Sequence, residues 1–143
     1  LVNYAHIKNY KIIVITNQAG IGRGFYSEKD FILLNEWMCQ VFSENNAPIS
    51  QVYYCPNHPE GLGPYKKIDY RRKPSPGMLI DAQIEFDLDM SACLLVGDKK
   101  TDIEAGISAG VGCNILLNES FKNDDEKLPY KKVNCLSDIR PFL

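Results

Sequence analysis

The chain predicts an α/β fold with a mainly parallel sheet, on three observations. Short apolar, strand-sized runs recur at Lys11–Thr16, Gln51–Tyr54, Ala92–Val96 and Gly112–Leu117. Helix-periodic stretches separate them, and Gly, Pro, Asn and Ser mark most changes of period. Strands alternating with helices are the pattern of βαβ units, whose crossovers make neighbouring strands parallel.

The elements follow in order. Leu1 stands in what reads as the end of a helix, and position 1 is not Met, so the natural protein is expected to start earlier. Lys11–Thr16 (KIIVIT) reads as a buried parallel strand. Asn17–Phe25 (NQAGIGRGF) reads as a glycine-rich loop. Ser27 then starts a helix to about Asn45, with Asp30 in a capping-box position and Phe31, Leu34, Met38, Val41 and Phe42 on one face. Gln51–Tyr54 is the second strand. Cys55–Ser75 is a long polar connection containing four prolines and two glycines, a composition and length typical of functional loops. Ser75-Pro76 is expected to cap a helix ending near Phe86. Ala92–Val96 is the third strand, ending in Gly97-Asp98. Thr101 is expected to cap a helix to about Ala109, closed by Gly110. Gly112–Leu117 is the fourth strand. A polar tail over Asn118–Lys132 leads to a last short strand and a turn of helix within Val133–Leu143.

The bulk numbers exclude several classes. The length of 143 residues fits a single domain with one core. A net charge of −2 gives no bulk attraction to nucleic acid or to a membrane surface. No apolar run approaches the roughly 20 residues of a membrane span. The five cysteines are scattered, odd in number and without a CxxC pair, which argues against a disulfide framework and for a reduced, cytoplasmic setting. Cys93 and Cys113 lie in apolar stretches and read as small core residues. No signal peptide is visible at the N-terminus. The expected state is a monomer acting on a small molecule.

Three motifs carry chemistry, each beside a strand or helix end, where parallel sheets bind ligands. Thr16-Asn17-Gln18 places a hydroxyl and two amides at a strand end, followed by glycines whose backbone N–H groups can face an anion. Arg72-Lys73-Pro74-Ser75-Pro76 sets two cations ahead of a helix N-terminus, itself attractive to anions. Gly97-Asp98-Lys99-Lys100-Thr101-Asp102 ends an apolar strand on a carboxylate, a hard ligand suited to Mg²⁺. Asp102, one helical turn on, is placed to brace the loop or a metal-bound water. A hydroxyl, a lysine and a metal carboxylate form the set that phosphoryl transfer needs, because its catalysis is mostly positioning and charge neutralisation.

These motifs resemble motifs two, three and four of the haloacid dehalogenase superfamily. The wider strings TNQAGIGRGFYSEKDF, VYYCPNHPEG, RKPSPGML and VGDKKTDIEAG are similar to the D-glycero-D-manno-heptose 1,7-bisphosphate 7-phosphatase family and the related histidinol-phosphatase domains, over about residues 1–117. The resemblance implies a Rossmann-like three-layer α/β/α sandwich and a Mg²⁺-dependent phosphatase acting on a small phosphorylated sugar. It implies that Thr16 holds the transferring phosphoryl group, that Asn17, Gln18 and Ala19 line the substrate, and that Arg72 and Lys99 contact it. It further implies that Lys73 stabilises phosphoryl charge and that Asp98 ligates Mg²⁺.

Two departures stand out. The family's first strand ends in Asp-x-Asp, nucleophile and general acid/base, and no such pair precedes Thr16; Asp87-Leu88-Asp89 follows motif three instead. The expectation is that the first βα unit, about 35–45 residues, is missing from this chain. Many members also carry a structural zinc on a Cys-x-His and a Cys-x-Cys pair. Here the corresponding positions read Cys55-Pro56-Asn57, with His58 one place late, and Asp69-Tyr70-Arg71. No structural zinc is expected, and Cys55 and His58 are expected as loop or substrate-side residues. The rival readings are a histidinol-phosphatase, a nucleic-acid 3′-phosphatase of the same superfamily, and a non-catalytic phosphosugar-binding or partner domain.

Overall fold

The structure is a computed structural model and describes residues 1–117 and 128–143. It divides into two compact units, Val2–Arg72 and Lys73–Leu143, with Leu1 joining the second.

The first unit holds α1 (Val2–Ile7), β1 (Ile13–Asn17), α2 (Ala19–Gly22), α3 (Glu28–Glu44) and β2 (Gln51–Cys55). β1 and β2 pair in parallel from Ile13↔Gln51 to Asn17↔Cys55, so Thr16 and Asn17 lie beside Tyr54 and Cys55 at the carboxyl ends. The expected glycine-rich loop is instead mostly a helical turn, α2. Its residues Ile21 and Gly22 are buried, which is what a short turn gains by coiling back onto the core. α3 starts as its sequence predicts. Ser27 Oγ accepts from Asp30 N–H at 3.1 Å, and Ser27 N–H donates to Asp30 Oδ2 at 2.9 Å. Such a cap is worth about 1 kcal/mol. The expected buried face needs correction: Phe31 is buried, but Leu34 is 60% exposed. The helix turns Phe31 inward against the Tyr54 ring, centroid to centroid 4.6 Å, and that rotation carries Leu34 to the flank.

The second unit holds α4 (Gly77–Phe86), β3 (Leu94–Gly97), α5 (Lys100–Ser108), β4 (Cys113–Leu117) and β5 (Lys131–Val133), followed by a 3₁₀ segment over Leu136–Phe142. The sheet order is β3-β4-β5, all parallel. The expected tail over Asn118–Lys132 lies largely outside the described residues; β5 begins within its end. Ile115, Val133 and Ile139 form a buried cluster. A Cβ at Gly106 would stand 2.0 Å from Asn114 Oδ1, so α5 packs on β4 only with glycine there. Asn114 is itself buried, and its Nδ2 donates to the Val111 carbonyl at 2.9 Å. Two expected caps are corrected. Ser75 makes no cap: Pro76 holds that position, without a side-chain bond. Thr101 lies inside α5, whose cap position belongs to Lys99 because Asp102 reaches back to it. Cys93 and Cys113 are half-buried, and Cys113 packs against the Ile115, Val133 and Ile139 cluster as expected of a small core residue.

Burial distinguishes the strands. The three central residues of β4 are buried, as an apolar strand with neighbours on both sides should be. All five residues of β1 are only half-buried, despite the sequence IVITN. β1 and β3 each stand at the margin of their sheet, and these are the two strands that end in Thr16-Asn17 and Gly97-Asp98.

Candidate active site

In the first unit, the strand ladder continues one step past β1, where Gln18 N–H donates to the Cys55 carbonyl at 2.8 Å. This backbone bond turns the Gln18 side chain toward its neighbours. Gln18 Nε2 donates to Thr16 Oγ1 at 3.0 Å, and Tyr26 O–H donates to Gln18 Oε1 at 2.5 Å. Gln18, implied by the resemblance to line the substrate, therefore has its amide engaged by protein at both ends. Thr16 Oγ1 accepts one bond and keeps its own proton to donate to an anion. Ala19 opens α2 directly beyond.

The long connection after β2 is fastened to this same region. Leu62 N–H donates to the Gly22 carbonyl at 2.6 Å, and a Cβ at Gly22 would stand 2.4 Å from the Pro56 carbonyl oxygen. Glu28 accepts from Tyr54 O–H at 2.7 Å and from Tyr65 O–H at 3.3 Å. The Glu28 hydrogen bond, with burial, pushes the Tyr54 hydroxyl up to about 12. Arg23 reaches His58 Nε2 and Glu60 Oε2, each at 3.0 Å. Burial and the charges of Arg23 and Arg72 hold the His58 imidazole below its ordinary range.

Arg72 is held at its root by N–H donation to the Asp69 carbonyl at 3.0 Å, and its guanidinium reaches the Asn57 carbonyl at 3.4 Å. Asn57 is buried, and its side-chain amide donates to the Asp69 carboxylate. Burial would raise the Asp69 pKa, but the bonds from Arg71 N–H and Asn57 outweigh it and leave the carboxyl below its usual value. Cys55, expected in the loop or beside substrate, is instead a core residue: it ends β2 and is 1% exposed. Burial pushes its thiol up.

In the second unit, Asp102 is the organising side chain. Its Oδ1 takes Lys73 Nζ at 2.7 Å, and its Oδ2 takes Lys99 N–H at 2.9 Å. Lys73 and Asp102 side chains are 12% and 8% exposed, so the pair is largely removed from water. A Cβ at Gly97 would stand 2.2 Å from Asp102 Cβ, which explains the glycine before Asp98. Of the two roles expected for Asp102, bracing the loop is the one these contacts perform. Asp98 and Lys99 are exposed at the carboxyl end of β3.

A donor set of this kind suits Mg²⁺ that keeps waters and substrate oxygens around one or two carboxylates. Asp98 is such a carboxylate. It does not suit a cation caged by protein alone, since among the described residues no group of three or more His, Cys, Asp or Glu side chains could hold one.

Each unit thus ends a strand on polar groups, Thr16 in the first and the exposed Asp98, near the Lys99 amide that Asp102 holds, in the second. The HAD-hydrolase-like family model matches residues 70–141. The D-glycero-alpha-D-manno-heptose-1,7-bisphosphate 7-phosphatase of Burkholderia mallei is 49% identical over all of this chain and 76% of its own length. The D-glycero-beta-D-manno-heptose-1,7-bisphosphate 7-phosphatase of Photorhabdus laumondii is 37% identical over 91% of this chain and 71% of its own. Among solved structures, the D,D-heptose 1,7-bisphosphate phosphatase from B. bronchiseptica, complexed with magnesium and phosphate, superposes with a TM-score of 0.81 at 21% identity, over 99% of this chain and 78% of that one. The chain belongs to the HAD-hydrolase-like family, and its fold is the Rossmann-like α/β fold of that family.

Tyr26 is a residue of this region that motif spacing did not single out, whereas Asn57 and Asp69 were read only as occupants of zinc-ligand positions and not as partners of each other. Gly20 was the available signal for Tyr26, since a Cβ there would stand 2.2 Å from the Tyr26 ring.

Proposed function

We propose that the complete protein is a Mg²⁺-dependent phosphomonoester hydrolase that removes the 7-phosphate of D-glycero-D-manno-heptose 1,7-bisphosphate. The observation that carries this reading is the Lys73–Asp102 pair, which fixes a desolvated ammonium at the root of the loop presenting Asp98. Electrostatic groups preorganised in this way are what phosphoryl transfer uses. The relatives' names support the substrate class, and two guanidiniums converging on residues 57 and 58 suit a substrate with a second anionic group.

In the proposed reaction an aspartate from a segment outside this chain attacks phosphorus. The sugar alkoxide leaves with a proton from the second acid of the same Asp-x-Asp segment, which then takes a proton from the water that cleaves the aspartyl-phosphate to release inorganic phosphate. Thr16 donates its hydroxyl proton to a phosphoryl oxygen, and Lys73, held by Asp102, neutralises phosphoryl charge. Asn17, Ala19, Arg72 and Lys99 position the substrate. Mg²⁺, held by Asp98, would supply charge neutralisation at the phosphoryl oxygens.

The complete protein with Mg²⁺ should release one phosphate per heptose 1,7-bisphosphate and turn over histidinol phosphate and 3′-phosphorylated DNA far more slowly. A preference for either of the latter would overturn the substrate assignment.

We also propose a monomeric, cytoplasmic enzyme without structural zinc. The five cysteines are free thiols, and no helix among the described residues is long and apolar enough to cross a membrane. Asn57 and Asp69 close the loop with a hydrogen bond between themselves. Elemental analysis should find well below one zinc per chain; one tightly held zinc, resistant to mild chelation, would refute this.

A further inference from the structure

We infer that Tyr26 is a positioning residue that sets the direction of a hydrogen-bond relay ending on Thr16, and so decides whether the Thr16 hydroxyl can donate to a phosphoryl oxygen. The inference deepens the phosphatase reading, on which its catalytic part rests.

The relay runs Tyr26 O–H to Gln18 Oε1, then Gln18 Nε2–H to Thr16 Oγ1. Its polarity follows from the two lengths. The Tyr26–Gln18 contact of 2.5 Å suits an oxygen–oxygen bond, whereas the Gln18–Thr16 contact of 3.0 Å suits an N–H donor. With the amide held this way round, Thr16 already accepts a proton from Gln18. Its own proton has no use within the relay and is left to the anion.

Reversal has a definite consequence. Were the Gln18 amide to rotate by half a turn, Oε1 would face Thr16 and take the Thr16 proton. The hydroxyl would then offer lone pairs, not a proton, to a phosphoryl oxygen. A phenol donates more readily than it accepts, so Tyr26 favours the productive orientation. Removing its hydroxyl leaves the amide free to take either.

The backbone is shaped for this arrangement. A Cβ at Gly20 would stand 2.2 Å from Tyr26 Cε1, so the ring crosses the chain where only glycine admits it. The Gln18 N–H bond to the Cys55 carbonyl anchors the residue between the two hydroxyls.

The test uses the complete enzyme, with the heptose bisphosphate as substrate and inorganic phosphate as a competitive inhibitor. Tyr26→Phe should lower kcat/KM and weaken phosphate inhibition by about three- to tenfold, the range of one neutral hydrogen bond. Gln18→Glu, whose carboxylate accepts from both hydroxyls, should lose on the order of 100-fold. In a Thr16→Val background, Tyr26→Phe should have no further effect on either quantity. An effect of equal size with and without the Thr16 hydroxyl would assign Tyr26 a merely structural role and overturn the relay, as would wild-type kinetics in Tyr26→Phe.

A measurement independent of turnover separates this inference from the function it rests on. The Gln18 side-chain amide protons should give dispersed, exchange-slowed NMR signals that collapse toward free-amide values in Tyr26→Phe. Dispersed signals in an enzyme that hydrolyses no phosphomonoester would refute the phosphatase reading and keep the relay. Hydrolysis together with unchanged signals in Tyr26→Phe would do the reverse.

Discussion

Asp98→Asn in the complete enzyme should abolish most turnover while leaving the fold intact. Asparagine keeps the shape and one carbonyl oxygen but removes the negative charge that a hard divalent cation requires. The loss should be on the order of 1000-fold, the scale set by removing a charge-stabilising group from a preorganised site. Mg²⁺ affinity measured calorimetrically should fall with it. Asp98 is exposed at the end of β3, so its replacement should shift unfolding by no more than about 0.5 kcal/mol. Wild-type Mg²⁺ affinity and turnover in this variant would remove Asp98 from the site.

The second large effect concerns stability. Asp102→Ala strips the counter-charge from Lys73, whose side chain is only 12% exposed, and frees the Lys99 N–H as well. Breaking a buried pair by deleting one partner costs about 3–5 kcal/mol, because a buried charge loses its partner carboxylate. That is a large fraction of the roughly 5–15 kcal/mol by which a domain is stable. Chemical denaturation should show the loss directly. Adding Lys73→Met in the Asp102→Ala background should recover much of the stability, since the buried ammonium deprived of Asp102 is removed, and none of the activity. A single variant as stable as the parent would show that the pair is not desolvated in solution. Recovered activity in the double variant would remove Lys73 from the chemistry.

Some features were legible because they depend on neighbours in the chain. The Ser27–Asp30 capping box spans one helical turn, and both bonds form where the spacing puts them. The apolar runs became parallel strands, and the polar residues at their ends stand where the periodicity ended them. Other features were misread for a common reason. Thr101 has the chemistry of a helix cap, but Asp102 already satisfies the Lys99 N–H, so the helix starts earlier and encloses Thr101. Leu34 carries the helical period of a core residue, yet the Phe31–Tyr54 ring contact sets the rotation of α3 and leaves Leu34 60% exposed. Cys55 sits at the border of a loop and reads as part of it, although it is the last rung of β2.

The sequence by itself determined the alternation of strands and helices, the kinds of group at each strand end, and thereby the family. Backbone sterics and side-chain period act over one or two turns, and a string of residues records them completely. Tertiary structure alone decided which donor meets which acceptor. Nothing in the order of residues says that Asp102 divides its oxygens between Lys73 and Lys99, or that Tyr26 folds over Gly20 to fix the amide of Gln18. A hydrogen bond or ion pair of this kind depends on tenths of an ångström in space, and those distances are set by how the whole chain packs rather than by any segment of it.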